Sequence, residues 1–286
     1  MDRHPRRWDF ALAPPHSAPG VVSMVGYRGL HVPESLHRGL PSSSLTFIVA
    51  LDEGVEAADT GEALAKARPN PLVLGGLHLR AGHIRQRTGQ AGVQIAVHPL
   101  ASRALFGTPS AELDVSDYDG TGLLGRRALE LHERLTGVDG WREAFALVRA
   151  YLVERYGDRG GAGPRPEVAH AWHLLQRGRG RASVDSLART VGLSPRHLGT
   201  LFRREVGRSP KTVATLMRFE HATTRIAHDV RLRGRTDLAL VAADTGYSDQ
   251  AHLSHEFVRF AGVPPRTWPA EEFRNIQDGG HALSAD

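Results

Sequence analysis

Arg196, Thr200 and Arg203 stand at i, i+4 and i+7, so a helix through them presents two guanidinium groups and a hydroxyl on one face. A guanidinium is a planar, permanently charged fork of donors. It suits phosphate oxygens and guanine edges, not proton transfer. Other spacings point to chemistry that the sequence does not support. His78 and His83 with His98 suggest a small metal-binding β-barrel, but no carboxylate follows at a matching interval, and satisfied or exposed histidines are the better reading. His252 and His255 are i, i+3 on a predicted helix and could hold zinc. Gly120, Gly122 and Gly125 have the spacing of a dinucleotide loop. That loop needs a second strand ending in an acid, and here a second helix follows. No nucleophile elbow or phosphate-binding Walker loop occurs. Cys is absent, which excludes thiolate metal sites, disulfides and Cys nucleophiles. The expectation is a protein without catalytic residues, metal or cofactor, and not an enzyme.

The elements that position these residues follow from punctuation and periodicity. Four Gly and two Pro in residues 157–166 read as a linker. Upstream, Leu45–Leu51, Leu72–Leu79 and Val93–Val97 read as strands. Leu124, Ala128, Leu131 and Leu135, then Trp141, Phe145, Val148 and Leu152, read as two closing helices, the second stopped at Gly157. Their stripes suit core packing better than a second copy of the chain. Downstream the pattern is helical throughout. Pro166 opens a helix carrying Val168, Trp172 and Leu175, and Ser183 caps the next.

One unit then occurs twice. Leu187-Ala188 and Gly192-Leu193 match Val241-Ala242 and Gly246-Tyr247 at an offset of 54. After the turn the offset is 55, pairing Ser194 with Asp249, His197-Leu198 with His252-Leu253, Phe202 with Phe257, Gly207 with Gly262 and Pro210 with Pro265. Helix, glycine turn, capped helix is the helix-turn-helix pattern. Between the copies, Pro210 to about Asp229 lacks internal Gly and Pro. Twenty helical residues span roughly 30 Å, close to the roughly 34 Å between major-groove faces of a duplex.

Charge agrees. The 286-residue chain, long enough for two domains, has a net charge of +5; residues 1–163 are neutral, and residues 177–235 hold 14 basic against 4 acidic side chains. A basic segment beside a neutral one points to a polyanion partner. No apolar stretch approaches a membrane span, and Arg3, Arg6 and Arg7 followed by Asp9 and Pro14-Pro15 do not make a signal peptide. A cytoplasmic protein without a membrane partner is expected.

Residues 168–275 resemble the paired helix-turn-helix domain of AraC/XylS-type bacterial transcription regulators, most specifically over Ala242-Ala243-Asp244-Thr245-Gly246-Tyr247-Ser248-Asp249-Gln250 and Gly262-Val263-Pro264-Pro265. A weaker match to the sensing or dimerising domain of some of these regulators runs through Gly92–Leu100 and Phe106–Leu113. The resemblance implies an α+β protein: a mainly β regulatory domain closed by helices (1–156), a linker (157–166), an all-α DNA-binding domain of two units joined by a long helix (167–275) and a tail (276–286). It implies that Arg196, Thr200, Arg203 and Arg204 meet DNA from the first unit, with no side chain at Gly199 to read a base. In the second unit it implies Gln250, Ala251, Ser254 and His255 at the groove and Arg259 toward the backbone. Ser194 and Asp249 are helix caps at the phosphates. Double-stranded DNA is the expected partner, with a small-molecule effector, RNA polymerase and a second copy of the chain as further candidates. The alternative is an enzyme with a small-molecule or metal site in the first domain and the helices as an appendage.

Overall fold

The computed structural model describes residues 8–116, 118–158 and 163–272. Arg3, Arg6 and Arg7, the tail 276–286 and the middle of the expected linker lie outside the described residues. Eight strands and two short helices come first: β1 (Trp8–Leu12), β2 (Val21–Gly29), β3 (Ser35–Gly39), β4 (Leu45–Ala50), β5 (Ala57–Ala58), α1 (Gly61–Leu64), β6 (Leu72–Gly75), β7 (Gly82–Gln86), β8 (Ala91–Val97) and α2 (Ser102–Phe106). They form two antiparallel sheets, ordered β1-β2-β8-β4-β6 and β3-β7-β5. Alternation along the strands gives the larger sheet two apolar faces. Leu45, Phe47 and Val49 of β4 and Val93, Ile95 and Val97 of β8 face one way; Ile48 faces the other, with Tyr27 and Val73.

The first face is closed by α3 (Thr121–Leu124), α4 (Arg126–Thr136) and α5 (Trp141–Asp158). Leu124, Ala128, Leu131, Leu135, Val148 and Leu152 are buried against it, whereas Trp141 and Phe145 are only half-buried. The helices thus pack on the sheet as expected. The first stripe, however, is broken by Gly125, whose φ of 70° separates α3 from α4. Two further boundaries differ from the sequence reading. The strand from Leu72 stops at Gly75, because Gly76 leaves the ladder to donate to the Asp114 carbonyl. Helix α5 continues through Gly157 to Asp158, whose carboxylate meets Arg127 Nη1 at 2.8 Å and ties down the last turn.

Seven helices follow: α6 (Pro166–Arg177), α7 (Val184–Thr190), α8 (Pro195–Val206), α9 (Pro210–Arg233), α10 (Leu238–Thr245), α11 (Gln250–Ala261) and α12 (Trp268–Glu272). Helix α9 runs four residues beyond the expected end and stops at Gly234, at φ 70°. Its 24 residues are about 36 Å long. Its first half packs on α6 and α8, and its second half serves as the opening helix of the second unit, with Ala222 and Ile226 where α6 has Val168 and Trp172.

The core does not divide at the linker. Trp172 of α6 stacks on Phe202 of α8 (6.3 Å, 18°) and takes the His98 ring from the β-rich half edge-on at 5.2 Å. Leu40 and Ala81 lie in the same apolar cluster as Phe219, Phe257 and Phe260. Among the described residues no helix is long and apolar enough to cross a membrane.

Candidate nucleic-acid interface

The two repeated units share their caps and their glycine turn. Ser183 caps α7 by accepting from the Ser186 N–H, and Asp237, 54 residues on, caps α10 by accepting from Ala239 and Leu240. Each short helix ends at a glycine with positive φ, Gly192 at 72° and Gly246 at 83°. The chain then turns sharply, and the Leu193 and Tyr247 N–H groups donate back to the Ala188 and Ala242 carbonyls at 2.9 and 3.0 Å. Both longer helices are capped next. Ser194 Oγ accepts from the His197 N–H at 3.2 Å, and Asp249 Oδ1 from the His252 N–H at 2.8 Å. The Asp249 carboxyl is held below its usual range, chiefly by the His252 N–H bond. Gly207 and Gly262, both in the left-handed region, close α8 and α11.

This framework fixes which faces are free. Leu198, Leu201 and Phe202 of α8 and Leu253, Phe257 and Phe260 of α11 are buried, as their spacing requires. Arg196, Thr200, Arg203 and Arg204 are exposed together on α8. Thr200 Oγ1 donates to the Arg196 carbonyl at 3.1 Å, so its methyl and lone pairs remain outward. The place a side chain would occupy at Gly199 borders the Arg203 guanidinium, 3.7 Å away. On α11, Gln250, Ala251, His255 and Arg259 are exposed and Ser254 is half-buried. Arg259 lies over the Phe260 ring at 4.5 Å and meets Glu256 at 3.4 Å. His252 Nδ1 pairs with Ser248 Oγ at 3.1 Å, a structural partner for that ring. Of His78, His83 and His98, His78 faces the carbonyls of Gly76 and Gly39 and His98 Nδ1 accepts from the Leu100 N–H, whereas the buried His83 Nδ1 has no hydrogen-bond partner among the described residues.

The sequence reading missed a second basic group. The loop Gly178–Arg181 brings Arg179 and Arg181 against Arg218, His221 and Arg225 of α9 and the Gly246 turn of the second unit. Arg179 Nη1 meets His221 Nε2 at 2.7 Å, Arg181 donates to the Asp244 carbonyl, Arg225 Nη1 meets Asp244 Oδ2 at 2.7 Å, and Arg218 lies 5.8 Å from the Tyr247 ring centroid. Burial, then the neighbouring guanidinium groups, push the His221 imidazole below its usual range. The signal was present as Arg179 and Arg181 flanking Gly180, but sequence distance hid their approach to the second unit.

The β-rich half grips the end of α8. Arg103 Nε meets Glu205 Oε2 at 2.9 Å, Ser110 Oγ donates to the Glu205 carbonyl at 3.2 Å, and Arg208 Nε donates to the Leu77 carbonyl at 2.8 Å. The second unit is held by the Ala81 N–H, which donates to the Phe260 carbonyl at 2.7 Å, and by Ser43 on Glu220 at 2.5 Å.

Residues 187–271 match the helix-turn-helix domain family. Among solved structures, ToxT from Vibrio cholerae aligns over 93% of this chain and 99% of its own, at 9% identity and a TM-score of 0.50. A transcriptional regulator from Chromobacterium violaceum with an AraC-type DNA-binding domain aligns over 39% of this chain and 95% of its own, at 22% identity and a TM-score of 0.34. The C-terminal domain of AraT, a response regulator from Geobacillus stearothermophilus, aligns over 38% and 88%, at 23% and 0.34. No curated protein sequence matches the chain.

Proposed function

We propose that this chain, which carries an AraC-type helix-turn-helix domain, regulates transcription by laying α8 and α11 into neighbouring major-groove faces of one promoter duplex. The observation that carries the reading is the duplicated, capped and glycine-closed helix with its arginines outward on α8. Arg196 and Arg203 fork onto guanine O6/N7 or phosphate, Thr200 meets a thymine methyl or phosphate, and Arg204 meets the backbone. Gln250 takes adenine bidentately, Ala251, Ser254 and His255 line the groove beside it, and Arg259 reaches the backbone. Helix α11 carries fewer cations than α8, so it adds less electrostatic affinity. The N–H groups at the Ser194 and Asp249 ends favour phosphate.

In this reading residues 1–156 sense a small molecule and pair with a second copy, 157–166 link, and 167–275 bind DNA, with RNA polymerase as the partner at the promoter. The cavity between the two sheets supports the sensing role. A genome-wide binding footprint tests the proposal. A recurrent site with two protected major-groove faces about one turn apart is expected. Equal affinity for all duplexes at fixed salt would replace regulation at sites by sequence-indifferent binding.

A further inference from the structure

Two exposed arginines stand where the repeated units meet. Arg179 and Arg181 flank Gly180 in the loop between α6 and α7. Gly180 has φ 74°, and a Cβ there would strike the Ala214 carbonyl, so the loop lies directly on α9. It meets that helix near its middle. Arg218, His221 and Arg225 share one face there at i, i+3 and i+7, about 12 to 22 Å along a helix of about 36 Å. The other side of the loop meets the second unit, where the Gly246 turn borders the Arg181 side chain.

The chain on either side sets the direction of this group. Arg181 comes two residues before Ser183, the cap of α7, and Gly246 comes three before Asp249, the cap of α11. In a helix-turn-helix the first helix crosses the DNA backbone and the second enters the groove by its N-terminal end. The N-terminal ends of α7 and α11 therefore reach the duplex on either side of these arginines.

Charge follows from the partners. Arg225 is shared between Asp229 and Asp244, at 3.2 and 2.7 Å. The other guanidinium groups end on neutral acceptors: Arg179 on His221 Nε2 at 2.7 Å, Arg181 on the Asp244 carbonyl, and Arg218 on the Gly180 carbonyl at 3.4 Å and Thr215 Oγ1 at 3.2 Å. A guanidinium on a neutral acceptor keeps its charge, and its fork of five donors leaves some for a phosphate. Like charges gathered in this way repel, and a polyanion laid across them removes that cost.

We propose that Arg179 and Arg181, backed by Arg218, make a third contact with the duplex, on the phosphates flanking the minor groove midway between the two major-groove faces. This rests on the reading that α8 and α11 enter neighbouring faces of one duplex, and it adds what lies between them. A duplex that turns its major groove to one side twice, a helical turn apart, turns its minor groove to that side in between. Because the two arginines belong to the first unit and touch the second, one backbone contact serves both.

The test titrates the full-length protein by fluorescence anisotropy at several salt concentrations. Two labelled duplexes of equal length are used, one carrying a site recovered by footprinting and one of scrambled sequence. Arg179→Gln combined with Arg181→Gln is expected to weaken binding to both duplexes roughly ten-fold and to lower the salt slope by about two. Arg179→Lys combined with Arg181→Lys is expected to keep the slope, because a point charge still meets a phosphate. Neutral methylphosphonate linkages placed midway between the two protected faces are expected to weaken the wild-type protein roughly ten-fold and to leave the double Gln variant unaffected. An unchanged slope in the Gln variant, an equal loss in the Lys variant, or wild-type indifference to the methylphosphonates overturns the proposal, and the last needs no variant to fold. Two protected groove faces with indifferent central phosphates remove only the third contact. A lowered slope on the scrambled duplex without any recurrent footprint removes regulation at sites and keeps these arginines on phosphate.

Discussion

Arg203 and Arg181 are both exposed arginines near a recognition helix, yet their surroundings assign them different work. Arg203 stands exposed on the outer face of α8, bordering the gap left by Gly199. Arg181 is tied to the Asp244 carbonyl and packs on the Gly246 turn. Arg203→Ala should weaken binding to the preferred site by about 1–3 kcal/mol and relax the preference at one base pair. Arg181→Ala should weaken cognate and random duplexes alike and lower the salt slope by about one. Parallel titrations of both duplexes at several salt concentrations check this, and equal losses for Arg203→Ala would make it a backbone contact. Glu220 makes a different residue-scale prediction. Burial raises its carboxyl above the usual 4.5, against the opposing hydrogen bond from Ser43. The folded state therefore holds a proton that the unfolded chain has released. Stability from this group is complete below about 4.5 and declines as pH rises through the folded value. Glu220→Gln, which keeps an acceptor for Ser43, should be the more stable form at pH 8 and nearly equal at pH 4 in urea unfolding.

At the scale of elements, the loop between α6 and α7 decides how the two units sit together. Gly180 has φ 74°, and a Cβ there would collide with the Ala214 carbonyl of α9. Gly180→Ala should cost roughly 1–3 kcal/mol, seen as a lower Tm, and should weaken DNA binding beyond what the stability loss explains, because Arg179 and Arg181 flank the position. An unchanged Tm would show that the loop yields easily. The helical half was legible because its signals are local. Caps at Ser183 and Ser194, glycine stops and i, i+4 core pairs lie within a few residues of what they organise. The repeat could even have been carried back to Asp237, which caps α10 as Ser183 caps α7. The β-rich half was less legible. Three of the eight strands among the described residues were read; of the five missed, β3 (Ser35–Gly39) and β5 (Ala57–Ala58) lack an apolar run and exist by pairing with β7 (Gly82–Gln86). Leu72–Leu79 was overextended because the exit at Gly76 depends on Asp114, far along the chain. Helical spacing separated the outward positions of α8 and α11 from the core ones, and the family resemblance turned those positions toward the groove. The arginine cluster around His221 was not legible, because only the folded chain brings Gly178–Arg181 to α9.

At the scale of the whole molecule, the composition break at residues 157–166 suggests two independent bodies, but the packing joins them. One apolar cluster runs from Phe47 and Ile95 in the larger sheet through Val148 and Leu152 to Trp172, Phe202 and Met217 in the helical half. Arg103 on Glu205 and the Arg208 and Ala81 hydrogen bonds add polar ties at the same seam. A shared core of this kind opens only when both sides open. Calorimetry should therefore record one transition, with calorimetric and van't Hoff enthalpies equal; two resolved transitions would show that the seam is weaker than its packing. The same seam makes the molecule acid-sensitive. His98 packs on Trp172, and burial holds its imidazole below the usual 6.5. The unfolded chain then takes up a proton that the folded chain refuses, so the stability is complete above about 6.5 and is lost as pH falls from there toward the folded value, at up to about 1.4 kcal/mol per pH unit for one group. Lowering pH from 7.5 to 5.5 should lower Tm, and His98→Gln should flatten that dependence. An unaltered slope in the variant would move the acid sensitivity to His78 and His221, whose imidazoles burial also depresses.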